Sequence, residues 1–126
     1  MNNEIFIKRA YEAASPEDGT RILVDRLWPR GESKVREQLS EWDKQIAPSE
    51  ELRKAFHHQE ISFDEFADAY HKELDGSDLT GEFLNHIRSC LKKGNVTLIY
   101  SSKDQKQNNA VILRDWILDH LKTDQS

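Results

Sequence analysis

Two short apolar runs, each followed at once by a polar loop, constrain the fold of this chain more than any other feature. The first run is 22–24 and the second is Val96–Tyr100. Continuous apolar runs of this kind are typical of strands that are buried on both faces of a parallel sheet. Open α/β sheets bind ligands outside the carboxyl ends of their strands. The loops that follow the two runs are therefore the first places to examine for a functional site.

Helix-type patterns occupy most of the remaining chain. Ser62 has Glu65 three positions later, which is the spacing of a capping box, and the apolar residues that follow recur at helical intervals. The predicted helices are, in chain order, part of 35–46, a segment that Ser49 caps and that ends near His57, the segment after Ser62, a segment from Asp78 or Thr80 to Lys93, and a last helix after the loop 101–107 that Asn108 or Asn109 caps.

This order of elements predicts one α/β domain over residues 1–126. The sheet should be small, mostly parallel and three- or four-stranded, with helices flanking it. A first strand is expected at 5–7 and a second at 21–25, with a turn at 15–19 between them. That connection is too short for a full helical crossover, so the relative direction of these two strands stays open.

Charge is distributed unevenly along the chain, whose net charge is −5. Residues 19–36 carry five basic and two acidic side chains, whereas residues 37–82 carry four basic and thirteen acidic ones. General nucleic-acid binding needs a broad positive surface, so this distribution argues against it. One small positive pocket remains compatible, and the expected partner is an anionic small molecule.

The composition predicts a cytoplasmic protein that does not enter a membrane. No apolar run approaches the roughly 18 residues that a membrane span requires, and the first residues lack the pattern of a signal peptide. The single cysteine, Cys90, fits a reducing compartment, and its place in a predicted helix suggests a core position.

The first functional hypothesis is a pocket between the loops 26–31 and 101–108 for an anionic molecule, for example a phosphorylated or nucleotide-like one. Arginine forks, an indole face, hydroxyl groups, an ammonium group and helix-end amides suit such a ligand. No GxxxxGK[ST] or GxGxxG motif is present, so no cofactor is predicted. The candidate ligand-binding residues are Asp25, Arg26, Trp28, Arg30, Ser101, Ser102, Lys103, Asp104, Asn108 and Asn109.

Three alternatives remain beside this hypothesis. The arginines can instead be structural, paired with carboxylates, with Trp28 covering the core. Catalysis with Asp25 or Asp104 as a proton acceptor is weakly supported, because neighbouring arginines hold a carboxylate ionised, so no catalytic residue is assigned. A non-enzymatic protein-interaction domain would use Trp42 and Trp116. No metal site is predicted from the five histidines, which show no ligand spacing.

Several longer strings in the chain resemble a known family. They are LVDRLWPRG at 23–31, EWDKQIAPSEELRKAFH at 41–57, the spaced Phe66, Tyr70, Glu73 and Leu74, and VTLIYSSKDQKQNNAVIL at 96–113. The chain is similar over nearly its whole length to the small YeaO-like branch of the family called domain of unknown function 488. That resemblance implies an α/β fold and cytoplasmic residence, for a family without an established activity. Similar sequences often carry histidine where this chain has Asn109.

Overall fold

A four-stranded parallel sheet lies at the centre of the computed structural model, which describes residues 3–124. Its strands are β1 Ile5–Arg9, β2 Thr20–Leu23, β3 Glu41–Trp42 and β4 Val96–Tyr100, in the spatial order β1-β4-β2-β3. Both β1 and β2 pair with β4 in parallel, so the first two strands run in the same direction. The predicted α/β class and parallel sheet are confirmed. Of the predicted domain 1–126, residues 1, 2, 125 and 126 lie outside the described part.

Five α-helices connect and cover the strands: α1 Lys34–Glu37, α2 Glu50–His57, α3 Phe63–Gly76, α4 Thr80–Lys93 and α5 Asn109–Asp124. Short 3-10 turns form at Pro16–Asp18 and Lys44–Ile46. The predicted caps form as well, because the Ser49, Ser62 and Asn108 side chains each accept a hydrogen bond from a backbone N–H of the first turn. Within residues 3–124, no helix is both long and apolar enough to cross a membrane.

The segment predicted to be helical in part, 35–46, differs from that expectation. It contains the single turn of α1, which ends where Gln38 adopts a left-handed φ of 47°. It also contains β3, an edge strand that sequence patterns did not predict. Ser40 N–H donates to Arg21 O at 2.8 Å and Asp43 N–H to Leu23 O at 2.9 Å. A two-residue strand is held by these backbone bonds and has no periodicity to detect.

The helix-covered face of the sheet carries the main hydrophobic core. Alternate strand residues point to this face, among them Ile22, Val24, Leu98 and Tyr100. They pack against buried side chains of the three long helices: Phe66, Tyr70 and Leu74 of α3, Phe83, Leu84, Ile87 and Cys90 of α4, and Ala110, Leu113, Trp116 and Ile117 of α5. The predicted core position of Cys90 is confirmed, since its exposed fraction is 8%.

The opposite face of the sheet is covered by loops and α1, and several of the side chains buried there are polar or charged. Arg21 is buried there, with Nη1 2.6 Å from Asp18 Oδ2 and Nε donating to Glu37 O at 2.8 Å. Asp18 also pairs with Lys8 at 3.1 Å. A small apolar cluster of Ala10, Leu23 and Ile99 lies beside this network. Charged side chains thus hold the covering loops onto this face.

The outer edge of β1 is occupied by two side chains. Arg114 of α5 donates from Nε to Ile5 O at 2.7 Å. Glu12 accepts from the Arg9 N–H at 2.9 Å. These bonds satisfy backbone groups at both ends of an edge strand, where pairing groups are otherwise unused.

Gly19 is required by the turn that leads into β2. Its φ is +65°, and a Cβ placed there would lie 2.0 Å from Asn95 O. We expect Gly19→Ala to lower the free energy of unfolding by about 3 kcal/mol or more, because left-handed strain and a backbone clash act together. Gly31→Ala is the control, since Gly31 has φ +81° but open space around it, and should cost about 1 kcal/mol. Urea denaturation measures both, and equal losses would contradict the role of the Asn95 contact.

Glu37 makes stability depend on pH. Burial, then the hydrogen bond with Glu32, raises the pKa of Glu37 from 4.5 to about 7. The folded state therefore binds this proton more tightly than the unfolded state. The stabilisation that protonated Glu37 gives to the folded state is complete below about pH 4.5 and is lost as the pH rises to about 7.

We expect Glu37→Gln to flatten this dependence and to raise the free energy of unfolding above pH 7 by on the order of 2 kcal/mol. The control is Glu60→Gln, because Glu60 is exposed. Denaturant titrations at several pH values measure the difference between the variants. Parallel pH profiles for the two variants would contradict the assignment to Glu37.

Candidate functional site

A cavity of about 820 Å³ opens at the carboxyl ends of β2 and β4. Three stretches of chain line it: 25–27 after β2, 101–109 after β4, and 47–66, which holds α2 and the start of α3. The lining residues are Asp25, Arg26, Leu27, Ala47, Pro48, Arg53, Phe56, His57, Gln59, Ile61, Phe66, Ser101, Ser102, Lys103, Asp104, Gln107, Asn108 and Asn109. A cavity at this end of adjacent parallel strands occupies the usual ligand position of an open α/β sheet.

The Asp25 carboxylate joins the two strand ends. Its Oδ2 accepts from both the N–H and the hydroxyl of Ser101, each at 2.8 Å. Its Oδ1 accepts from Asn109 Nδ2 at 3.0 Å, and the same amide donates to Val24 O at 3.1 Å. An amide nitrogen carries two hydrogens and can make both bonds, whereas an imidazole nitrogen carries one. Asp25 thus connects the two strand ends, and both of its carboxylate oxygens accept hydrogen bonds from the protein.

Asp104 performs a similar task within the loop after β4. Its Oδ1 accepts from the backbone N–H groups of Lys106 and Gln107, each at 2.9 Å. These two bonds lower the pKa of Asp104. Asn108 Nδ2 donates back to Asp104 O at 2.9 Å, while Asn108 Oδ1 caps α5. The loop therefore holds its own shape, and the two carboxylates that line the cavity are both engaged by protein donors.

The segment 46–49 forms a second, separately anchored wall. Tyr70 of α3 donates its hydroxyl to Ile46 O at 2.5 Å. Ser49 donates to both carboxylate oxygens of Glu73, with its N–H at 2.8 Å and its hydroxyl at 2.5 Å. Burial raises the pKa of Tyr70, so it remains a neutral hydrogen-bond donor. α3 thus fixes the position of Pro48 beside the cavity.

Three cationic side chains line the cavity. Arg26 spans it from the β2 side and donates from Nε and Nη2 to Pro48 O, each at 3.3 Å, which leaves other N–H groups of the fork unused. Lys103 is exposed on the β4 loop. Arg53 of α2 is half-buried, and its Nε is shielded from solvent without a hydrogen-bond partner among the described residues. None of the three forms an ion pair within the described part of the chain.

The wall nearest α2 and α3 is apolar. Phe56 and Phe66 are stacked, with ring centroids 4.4 Å apart and planes within 1°. Phe66 is only 3% exposed, whereas Phe56 and Ile61 are half-buried. The cavity therefore has a polar, cationic side built by the strand loops and an apolar side built by the helices.

The predicted candidate residues do not all meet in this cavity. Asp25, Arg26, Ser101, Ser102, Lys103, Asp104, Asn108 and Asn109 line it. Trp28 and Arg30 lie elsewhere. The Trp28 ring packs edge-on against Trp42 at 5.4 Å, on the other face of the sheet, and its Nε1 donates to Glu32 O. Arg30 is exposed, and its carbonyl accepts from the Tyr11 hydroxyl. The expected convergence of an indole and two arginine forks is therefore absent.

Sequence patterns did not point to the α2 wall. The helix itself was detectable from its cap and from its apolar Leu52 and Phe56. Arg53 and His57 lie four residues apart on it and so share one side of α2. What no local pattern supplies is the direction in which that side faces. Tertiary contacts set that direction, because Leu52 and Phe56 pack against the main core and α3 anchors the segment 46–49. Among the described residues, no group of histidine, cysteine and acidic side chains comes together as a metal site.

Comparison with known proteins places the chain in a family. The family model described as the inactive DUF488-N3 subclade matches residues 4–126. The chain belongs to this family. It is 48% identical over 113 residues to the uncharacterized protein YeaO of Escherichia coli (strain K12), which covers 90% of this chain and 96% of YeaO. It is 38% identical over 109 residues to the uncharacterized protein Rv3073c of Mycobacterium tuberculosis (strain H37Rv), covering 86% and 89%. No solved structure matches it.

These comparisons confirm the resemblance that the sequence strings carry. The family match covers β1 through α5, so the cavity lies within the part of the chain that the DUF488-N3 model matches. Both relatives are themselves uncharacterized by name. The family is thus shown, and its function is not.

We expect Asp25→Asn to lower the free energy of unfolding by about 2 kcal/mol, because an NH₂ group would face the donors of Ser101 or Asn109. Asp68→Asn is the matched control, since Asp68 is exposed on α3, and it should change stability by less than about 0.5 kcal/mol. Chemical denaturation measures both variants. An unchanged Asp25→Asn midpoint would show that the carboxylate does not hold the strand ends together.

Proposed function

We propose that this protein binds an anionic, phosphate-type small molecule in the cavity at the carboxyl ends of β2 and β4. The observation that carries the proposal is the state of the charged groups there. Arg26, Arg53 and Lys103 line the cavity without ion-pair partners among the described residues. The lining carboxylates, Asp25 and Asp104, already accept hydrogen bonds from the protein. An anion would supply the counter-charge that the cationic side chains lack.

The favoured role is binding without catalysis. A general base needs a pKa near the working pH and free access to a proton. Asp25 faces Ser101 and Asn109, and backbone hydrogen bonds lower the pKa of Asp104. Neither carboxylate fits that role. The description of the matching family as inactive agrees with a binding function.

An interaction domain that uses its tryptophans is less well supported. Trp116 is 5% exposed and donates from Nε1 to Asp75, so it offers little surface to a partner. Trp42 is half-buried, donates to Asp25 O, and is covered by Lys44 at 4.0 Å from its ring centroid. Interface anchors are aromatic rings that insert into a partner, and both of these rings are already packed.

Arg26→Ala should weaken binding of inorganic phosphate about tenfold or more, because a charge-assisted hydrogen bond contributes about 1.5 kcal/mol or more. Isothermal titration calorimetry with inorganic phosphate measures this affinity. Arg30→Ala is the matched control, since Arg30 is exposed and does not line the cavity, and it should bind phosphate as the wild type does.

Lys103→Ala tests the same proposal with a substitution that should not change the stability of the protein. Lys103 is exposed and makes no side-chain bond with the described residues, so its removal should leave the melting temperature unchanged and weaken phosphate binding. Lys92→Ala, at the end of α4 and away from the cavity, is its control. Phosphate affinity that survives both Arg26→Ala and Lys103→Ala would refute the proposed site.

A further inference from the structure

We infer that the cavity selects an organic anion with a flat apolar body, such as an aryl phosphate, over an inorganic anion. This inference rests on the proposed anion site and adds the part of the ligand that lies beyond its charge. Three observations carry it: the size of the cavity, the division of its walls, and the position of Arg53 beside Phe56.

The cavity is larger than an inorganic anion needs. Its volume of about 820 Å³ falls within the range of about 300 to 1,000 Å³ that is usual for organic ligands. An inorganic phosphate held by the cationic side would leave the apolar side exposed to water. An organic body fills that space and removes apolar surface from water, which is favourable.

The polar wall and the apolar wall of the cavity are built by different elements of the fold. The polar side comes from the loops after β2 and β4, and the apolar side comes from α2, Ile61 and Phe66. Phe56 lines the cavity while its ring stacks on the deeply buried Phe66. Stacking on Phe66, with the two ring planes within 1°, fixes the orientation of the Phe56 ring. A fixed aromatic face favours a flat ligand body, because aromatic rings pack in offset-stacked or edge-on geometries.

Arg53 links the two sides. It lies three residues before Phe56 on α2, so both side chains occupy the same side of the helix, and both line the cavity. The Arg53 side chain is half-buried and has no hydrogen bond or ion pair with the described residues. An unpaired guanidinium in a partly dry site is costly, and an anion bound to it relieves that cost. The body attached to such an anion would lie next to the Phe56 ring.

The test is calorimetric titration of the full chain with three probes: phenyl phosphate, inorganic phosphate and phenol. We expect phenyl phosphate to bind at least about tenfold more tightly than inorganic phosphate, and phenol to show no measurable binding, since the charge and the ring act together. Equal affinities for the two phosphates would overturn this inference and leave the proposed anion site standing. Absence of binding for both phosphates would overturn the site and the inference together.

Two pairs of variants locate the effect. Arg53→Ala should weaken phenyl phosphate binding at least tenfold, whereas Lys54→Ala should not, because Lys54 pairs with Glu50 and does not line the cavity. Phe56→Leu should reduce the preference for phenyl phosphate and keep the affinity for inorganic phosphate.

Phe63→Leu is the control for Phe56→Leu. Phe63 packs in the same aromatic cluster but does not line the cavity, so its replacement should keep the preference. Thermal unfolding checks that each variant is folded. If a phenylalanine variant does not fold, the ratio of the wild-type affinities for phenyl phosphate and inorganic phosphate still decides the inference. A preference that Arg53→Ala and Phe56→Leu both leave intact would overturn the assignment to α2.

Discussion

The hydrogen bonds of the Asp25 carboxylate are the interaction on which the candidate site depends. They join the end of β2 to the first residue after β4 and to the first residue of α5. Backbone pairing aligns the two strands as far as Leu23 and Ile99, and Asp25 extends that alignment into the loops. Without it, only the Asn109 bond to Val24 O would join the two loops on the polar side of the cavity.

The two faces of the sheet are stabilised in different ways, and the difference affects the site. On the helix face, apolar packing fixes α3, and α3 in turn holds the segment 46–49 through Tyr70 and Glu73. On the other face, the ion pairs of Arg21 and Asp18 hold loops in place. The cavity opens toward the first face. The wall formed by 46–49 is therefore held in place by a helix of the main core, which is the kind of support that a preorganised binding site requires.

Sequence reasoning captured the features that are encoded locally. The apolar runs at 22–24 and 96–100 gave adjacent parallel strands, and the serines and asparagine at helix starts gave the caps, because both signals arise from neighbouring residues. The expected juxtaposition of Arg26 with the loop 101–108 depended on the two strands being parallel neighbours, which β2 and β4 are.

What the sequence did not indicate depends on contacts between distant segments. β3 exists because its backbone bonds to β2, which no pattern in two residues can encode. Trp28 and Arg30 share a loop with Arg26, yet Trp28 turns to the other face because Trp42 and the Leu23 cluster provide an apolar surface there. Arg53 is assigned to the site by tertiary anchoring of α2. Local chemistry thus identified one half of the cavity, and only the tertiary structure supplied the other.

The bonds at the rim of β1 limit how the molecule can assemble. Arg114 and Glu12 occupy backbone groups that a neighbouring chain would use to add a strand, so a fifth strand would have to break both contacts before it could pair. At the opposite rim, β3 offers only two residues. Growth of the sheet from molecule to molecule, the first step of fibre formation by native strands, is therefore disfavoured at either end.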